Sequence, residues 1–422
     1  MKQILPLFLI LLVACQSHPS SQVSENRNRP EMSQRDYVVM VSMDGFRHDY
    51  IEKYQAKAIA RIGDAGIRAE TMIPSFPSST FPNHYSLATG MYPASHGIIG
   101  NSFYDPEREE LYQIRDREKV EDGSFYGGTP LWVLAEKAGM LAASFFWVGS
   151  EADIQGVKPS YYYRYDGSIP NQERVDQVLE WLSLPEDQRP HFITIYFSDI
   201  DSKGHRHGPE SEQTQKAVQD LDKLIGQLDK RLGETGLPIH LIITSDHGMQ
   251  LVDQDNPILP ERLAKLDGFD KVVKSSTYWT FHSKDRQLVE STHERLKKLS
   301  AEDYEGKFRI FKTAEGPDYL HYKSNPRIGQ LVMTPDSPYV LSSWGFSVGP
   351  GHHGYDPYRN RNMHTIFLAK GPQIQAGLVV PSFENIHVYP LVAHILELDL
   401  PDNLDGSFAL WDSTGAILPQ HP

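Results

Sequence analysis

Strand-like runs alternating with helical patterns, three of those runs ending in aspartate, predict an α/β sandwich with a mainly parallel central sheet. The runs Tyr37–Ser42 (YVVMVS), Ala143–Val148 (ASFFWV), Phe192–Phe197 (FITIYF), His240–Thr244 (HLIIT) and Thr365–Ala369 (TIFLA) are short and almost continuously aliphatic, β-branched or aromatic. A strand covered on both faces reads this way, whereas a strand with one wet face alternates. Helical patterns at Thr129–Ala138, Glu173–Leu182 and Ser211–Leu232 fall between them. That alternation is the signature of parallel crossover units.

The chain has 422 residues, 39% of them hydrophobic, enough for a sizeable core in one elaborated domain or in several. Its 41 basic and 55 acidic residues give a net charge of −14, and no Lys/Arg-rich run relieves it. A nucleic-acid duplex is therefore excluded as a partner, and bound divalent cations would offset part of the charge.

The N-terminus reads as an address. Met1, Lys2 and Gln3 precede an apolar run, Ile4–Ala14, too short to span a bilayer and suited to a signal-peptide core. It ends Leu12-Val13-Ala14-Cys15, which resembles the lipobox of bacterial lipoproteins, and Cys15 is the single cysteine of the chain. Residues 1–15 are expected to be a lipoprotein signal with Cys15 lipidated, and 16–35 a flexible tether rich in Ser, Asn, Gln and Pro. Gln16 favours the outer membrane of a Gram-negative host, with the domain facing the periplasm.

The stretch Thr71–Asn101 carries the first chemistry. Pro82 and Gly90 mark the start and stop of a short helix, which puts Thr80 at its positive end. A threonine hydroxyl is a poor nucleophile unless a metal ion or a base helps it lose its proton. That help is expected at the strand ends, where YVVMVS runs into Asp44, FITIYF into Asp199 and Asp201, and HLIIT into Asp246. Ligands of open α/β sheets sit outside the carboxyl ends of the strands, and acids converging there repel unless cations lie between them.

Histidines complete the pattern. His205 follows Asp201 by four residues, His247 follows Asp246 directly, and His353 lies in the segment GHHGYD. Three Asp and three His fit two sites of mixed nitrogen and oxygen character, which suits Zn²⁺, or Mn²⁺, Co²⁺ or Fe²⁺ in its place, better than Ca²⁺ or Mg²⁺. The spacing leaves open which ligand holds which ion. His48, His84, His96, His207, His352, His364 and His387 are read as surface or satisfied core residues.

The segments VSMDGFR (41–47), PSSTFPNHYSLATGMYPASHGIIGNSFYDP (77–106), FFWVGSEA (145–152), DSKGHRHGP (201–209), TSDHGM (244–249), HGYDP (353–357) and FENIHVYPLVAHIL (383–396) occur in one order along the chain. Together they resemble the nucleotide pyrophosphatase/phosphodiesterase family of the alkaline phosphatase superfamily. The resemblance implies an alkaline-phosphatase-like three-layer sandwich over 36–418, with 251–345 as a small α+β insert. It also implies that Asp44, Asp246 and His247 hold one zinc ion, which Thr80 touches, and that Asp201, His205 and His353 hold the other. Thr80 would be the nucleophile. Asn101 and the amide at the helix start would donate to phosphoryl oxygens, while Phe81, Tyr165 and Tyr196 would line a pocket and stack on a nucleobase. Arg164, beside Tyr165, reads either as a cation where a second or terminal phosphate could dock or as an ordinary exposed arginine.

The expected function is then a two-metal phosphodiesterase or pyrophosphatase acting on nucleotides through a phosphothreonine and releasing a nucleoside 5′-monophosphate. A phosphomonoesterase or a phosphocholine-headgroup diesterase on the same fold is the alternative. A sulfatase is set aside, because Thr80 cannot become formylglycine, and a lipid-anchored binding protein without catalysis would have lost part of the constellation.

Overall fold

A computed structural model of the chain describes residues 27–263, 267–343 and 347–418. The expected signal segment, Cys15 and residues 16–26 of the expected tether lie outside these residues. From Asn28 onward the chain is already docked. Asn28 is buried, its Nδ2 donates to Glu186 O and Arg189 O, and its Oδ1 accepts from Leu141 N. The last residues of the predicted tether therefore belong to the folded body, because a buried amide with its hydrogen bonds met is anchored rather than free.

Eight strands make the central sheet: β1 Tyr37–Met43, β2 Ile67–Ala69, β3 Ala142–Phe145, β4 Tyr161–Tyr163, β5 Phe192–Phe197, β6 Ile239–Thr244, β7 Phe367–Lys370 and β8 Leu378–Val380. Their order is β8-β2-β7-β6-β1-β5-β3-β4. Strands β6, β1, β5, β3 and β4 run parallel, with Val39 facing Ile193 on one side and Leu241 on the other. Strand β7 runs antiparallel to both of its neighbours. The run predicted at Ala143–Val148 stops as a strand at Phe145, because Phe146 takes φ +67° and turns the chain out of the sheet.

Side chains alternate between two apolar layers. Val38, Met40 and Ile242 pack with Trp132 and Val392 beneath helices Leu131–Ala138 and Val388–Ile395. Val39, Val41 and Ile243 pack with Val175, Leu221 and Ile225 under helices Asn171–Leu182 and Glu212–Glu234. Helix, sheet, helix is thus the layering that the continuous apolar runs required, and each fully buried aliphatic residue contributes roughly 1.5–3 kcal/mol. Among the described residues no helix is long and apolar enough to cross a membrane.

The region after Asp246 builds its own small sheet. Strands Lys271–Lys274, Trp279–His282, Leu331–Pro335 and Phe308–Lys312 pair antiparallel in that order. Val272–Phe281, which looks like one strand in the sequence, is a hairpin turning at 275–278. Helix Arg286–Glu302, capped by the Asp285 carboxylate, covers a core of Trp279, Phe281, Leu296, Phe308 and Met333. Arg327 ties this unit to the main body: its Nε donates to Asp105 Oδ2 at 2.9 Å, and its Nη1 to Gly97 O at 2.9 Å and Phe125 O at 2.7 Å.

Arg327 and Asp105 are only 15% and 5% exposed, so Arg327→Met should strand a buried carboxylate and lower stability by about 3–5 kcal/mol. Urea unfolding checks this, and a loss below about 1 kcal/mol would show that the pair does not hold the unit in place.

Candidate active site

Three adjacent parallel strands deliver the acids. Asp44 follows β1 directly, Asp246 lies two residues beyond β6, and Asp201 sits in the first turn of helix α1, Asp199–His207, which starts after β5. Gly45 lets them converge. Its φ of +74° suits glycine, and a Cβ there would stand 2.9 Å from Asp201 Cα. Gly45 N–H points at Asp246 Oδ1 (3.3 Å), and Tyr196 Oη donates to Asp44 Oδ2 at 2.6 Å.

Thr80 is the first residue of helix α2, Thr80–Thr89. The loop before it is held by the buried Asn83, whose Nδ2 donates to Ser75 O, Pro77 O and Ser79 O while its Oδ1 accepts from Ser75 N. The helix stops at Gly90 in the left-handed region (φ +66°), where a Cβ would press on Tyr389. Thr80 Oγ1 stands 3.2 Å from His247 Nε2. Asn101 Oδ1 accepts the Phe81 N–H at 2.9 Å. That bond turns the Asn101 amide so that its Nδ2 is the free donor, and it commits the Phe81 amide, one of those expected to face substrate.

The histidine tautomers follow from their backs. His205 Nδ1 meets Gly351 O at 2.8 Å, His247 Nδ1 meets Gly248 O at 2.9 Å and His353 Nδ1 meets Ser78 O at 3.0 Å. A carbonyl only accepts, so each Nδ1 carries the hydrogen and each Nε2 keeps its lone pair. Those lone pairs converge: His353 Nε2 is 3.0 Å from His205 Nε2, and His247 Nε2 is 3.0 Å from Asp246 Oδ2 and 3.5 Å from Asp44 Oδ1. His205 Nε2 is also 3.3 Å from Asp201 Oδ1.

The centre is a set of acceptors facing acceptors. Asp44 Oδ1, Asp201 Oδ1 and Asp246 Oδ2 are buried and make no well-formed hydrogen bond, though His84 Nδ1 stands 3.3 Å from the last, a costly state unless a cation fills the space. Burial and the carboxylates of Asp246 and Asp201 push Asp44 well above the usual range. Burial opposes ionisation of Asp246 too, but the imidazoles of His247 and His84 outweigh it and hold that carboxyl well below its ordinary value. Burial and the neighbouring rings of His247 and His205 hold His353 well below the usual imidazole value. Asp201, His205 and His353, then Asp44, Asp201 and His247, and then Asp44, His84 and Asp246 each bring three donor atoms within 4.8 Å. The mixed nitrogen and oxygen donors fit a transition metal ion.

All seven residues expected at the centre are therefore brought together. His84 is the one that sequence reasoning passed over. It is fully buried as a core histidine would be, yet its Nδ1 lies 3.0 Å from Thr80 O and 3.3 Å from Asp246 Oδ2. Its spacing of one helical turn from Thr80 was the available signal. By contrast His96 is a plain core residue, with both ring nitrogens bonded to Ser86, Pro82 and Ile98.

The small sheet buttresses the centre from outside. Thr277 Oγ1, in the hairpin turn, donates to His353 O at 2.9 Å, and Ser276 Oγ bonds His352 Nδ1 at 2.9 Å. The buried Tyr278 hydroxyl lies against Ser79 and Asn101, which flank the Thr80 loop in space. On the other side a cleft of about 340 Å³ opens from Thr80 between Phe81, Phe146, Trp147, Tyr165 and Tyr196. Phe81 and Tyr165 line it as expected, whereas Tyr196 also serves Asp44. Arg164 is 69% exposed and paired with Glu121 at 2.9 Å, and the arginines that line the cleft are Arg115 and Arg117.

A model of the type I phosphodiesterase/nucleotide pyrophosphatase family matches residues 38–356. Ectonucleotide pyrophosphatase/phosphodiesterase family member 1 of Mus musculus is 36% identical over 392 residues, covering 88% of this chain and 42% of its own length. Venom phosphodiesterase 2 of Crotalus adamanteus is 33% identical over 374 residues, covering 86% of this chain and 45% of its own. The chain spans less than half the length of these relatives. An inactive threonine-to-alanine form of murine ectonucleotide pyrophosphatase/phosphodiesterase 5, solved in complex with AMP, superposes with a TM-score of 0.83 at 27% identity, covering 91% of this chain and 100% of that one.

Because burial and its acidic neighbours hold Asp44 above the usual carboxylate range, protons should compete with a divalent ion there at a higher pH than at an ordinary carboxylate. Metal binding should release protons, and apparent affinity should rise with pH. Calorimetry of the chelator-stripped protein in buffers of different ionisation enthalpy measures it, and a heat independent of buffer would remove the electrostatic account of the centre.

Proposed function

The chain belongs to the type I phosphodiesterase/nucleotide pyrophosphatase family, and on that premise we propose that it hydrolyses nucleotide phosphodiester or pyrophosphate bonds through a phosphothreonine at Thr80, releasing a nucleoside 5′-monophosphate. Its fold is the alkaline-phosphatase-like α/β sandwich. The observation that carries the proposal is the Thr80 hydroxyl at the start of a helix, 3.2 Å from an imidazole of a six-ligand centre, with an aromatic cleft alongside. The AMP bound to the murine relative supports a nucleotide as the occupant of that cleft.

Two zinc ions, one held by Asp44, Asp246 and His247 and the other by Asp201, His205 and His353, would when bound ease proton loss from Thr80 and offset charge on the departing oxygen. Mn²⁺, Co²⁺ or Fe²⁺ could take their place. The chain's own groups do the rest. Phe81 and Tyr165 flank the base and set the distance of the phosphorus from Thr80 Oγ1. Thr80 attacks in line, forming the Oγ–P bond as the bond to the leaving oxygen breaks. Asn101 Nδ2, already oriented by the Phe81 amide, donates to a non-bridging oxygen, and the N-terminus of α2 adds its positive end. His205 is 39% exposed, so the centre is open on its side for the leaving group to depart and for water to enter. Water then attacks the phosphothreonine from the vacated direction, forming a new P–O bond as the Thr80 Oγ–P bond breaks and Thr80 regains a proton from solvent; the nucleoside monophosphate leaves, and two inversions retain configuration at phosphorus.

The apolar run Ile4–Ala14 before Cys15 supports anchoring of the domain to the outer membrane by a lipid, facing the periplasm.

Thr80→Ala should abolish turnover while zinc content stays at two equivalents, measured by elemental analysis beside a rate assay; a folded variant that still turns over would exclude the nucleophile. In a comparison of the p-nitrophenyl ester of thymidine monophosphate, p-nitrophenyl phosphate and p-nitrophenyl phosphorylcholine, the nucleotide diester should lead by at least about 10²-fold, on the order of two or three kcal/mol of differential transition-state binding. Leadership by the monoester would make the protein a phosphatase, and leadership by phosphorylcholine a headgroup diesterase.

A further inference from the structure

The histidine one turn after Thr80 has a place in the centre but no lone pair to offer it. His84 Nδ1 faces two oxygens that only accept, Thr80 O at 3.0 Å and Asp246 Oδ2 at 3.3 Å, so Nδ1 must carry the hydrogen. Its Nε2 is 2.8 Å from Ser42 Oγ, a hydroxyl able to donate to it. Both ring nitrogens are thus used by protein groups. The ring is fully buried, and its plane is set by edge contacts to Trp147 at 5.1 Å and Tyr196 at 5.2 Å, while Trp147 Nε1 grips His84 O at 3.0 Å.

We propose that His84 is a positioning residue and not a metal ligand: it clamps the Thr80 carbonyl to Ser42 at the end of β1 and so fixes the nucleophile against the carboxylates. Three elements meet through this one ring. Ser42 belongs to β1 just before Asp44, Thr80 begins α2, and Asp246 follows β6. The first turn of α2 cannot shift toward or away from Asp44 and Asp246 without breaking the Nδ1 or the Nε2 contact. The Asp44, His84 and Asp246 grouping, close enough on distance for a metal ion, is on this account a carboxylate pair braced by a donor. The inference rests on Thr80 being the nucleophile.

The test separates the two ring nitrogens. An asparagine amide nitrogen overlays Nδ1 and a glutamine amide nitrogen overlays Nε2, so His84→Asn keeps the donor to Thr80 O and His84→Gln loses it. With the p-nitrophenyl ester of thymidine monophosphate, kcat of His84→Asn should stay within about 10-fold of the parent while that of His84→Gln falls by about 10²-fold, the cost of a misplaced reacting group. KM and zinc content should be unchanged in both. Loss of a zinc equivalent in both variants would make His84 a ligand, and equal kcat losses in both would reduce it to packing; either overturns the proposal. Histidine ¹⁵N spectra of the parent, zinc-loaded, should show His84 protonated on Nδ1 and bare on Nε2, and the opposite tautomer or metal-bound nitrogen would overturn it even if neither variant folds. Thr80→Ala, assayed alongside, reports on the nucleophile separately, since its turnover does not affect the tautomer.

Discussion

Three carboxylate oxygens, on Asp44, Asp201 and Asp246, are buried close together without a well-formed hydrogen bond, the His84 N–H standing 3.3 Å from the last of them, and this is the constraint on which the rest of the structure depends. Like charges a few ångströms apart in a poorly solvated centre cost several kcal/mol unless a cation lies between them or one acid stays protonated. The fold accepts that cost at the carboxyl edge of its sheet, where β6, β1 and β5 run parallel and aim their ends at one point. The local groups are arranged around it. Tyr196 donates to Asp44, Gly45 yields backbone room and an N–H, and three imidazoles point bare nitrogens inward because backbone carbonyls hold their other nitrogens. A centre in which acceptors outnumber donors in this way has the chemistry of a candidate cation site.

The small antiparallel sheet takes on a different meaning once its contacts are known. From the sequence alone, 251–345 is no more than a small insert after a strand-end ligand. Its hairpin turn, 275–278, bonds the backbone of His353 through Thr277, the ring of His352 through Ser276 and the loop around Ser79 through Tyr278. The Arg327 fork fixes its far end to Asp105, Gly97 and Phe125. The unit therefore acts as a brace against His353, His352 and the loop that precedes Thr80. Its own core of Trp279, Phe281 and Phe308 gives the brace stiffness.

The cleft divides its aromatic residues by task. Phe81 and Tyr165 line it with aromatic rings that are spent on no part of the acidic centre, Tyr165 at 46% exposure. Tyr196 lies in the same wall, but its hydroxyl is spent on Asp44, and burial together with that carboxylate raises its phenol well above the ordinary range, so it stays a donor. One residue thereby joins the wall of the cleft to the acidic centre.

By itself the sequence determined the layers of the fold and the membership of the centre. Continuous apolar runs require a sheet covered on both sides, the acids fall at strand ends where such sheets bind ligands, and Pro82 and Gly90 bracket the helix that begins at Thr80. These features are local or periodic, so one dimension carries them. The reversed direction of β7, the hairpin inside Val272–Phe281 and the docking of Asn28 were decided by partners far along the chain. The same holds for His84, whose residue type and spacing are equally those of a core histidine. Only the tertiary structure, by setting Ser42, Thr80 and Asp246 around one ring, makes it part of the site, because hydrogen-bond direction depends on which atoms face each other and not on which letters are neighbours.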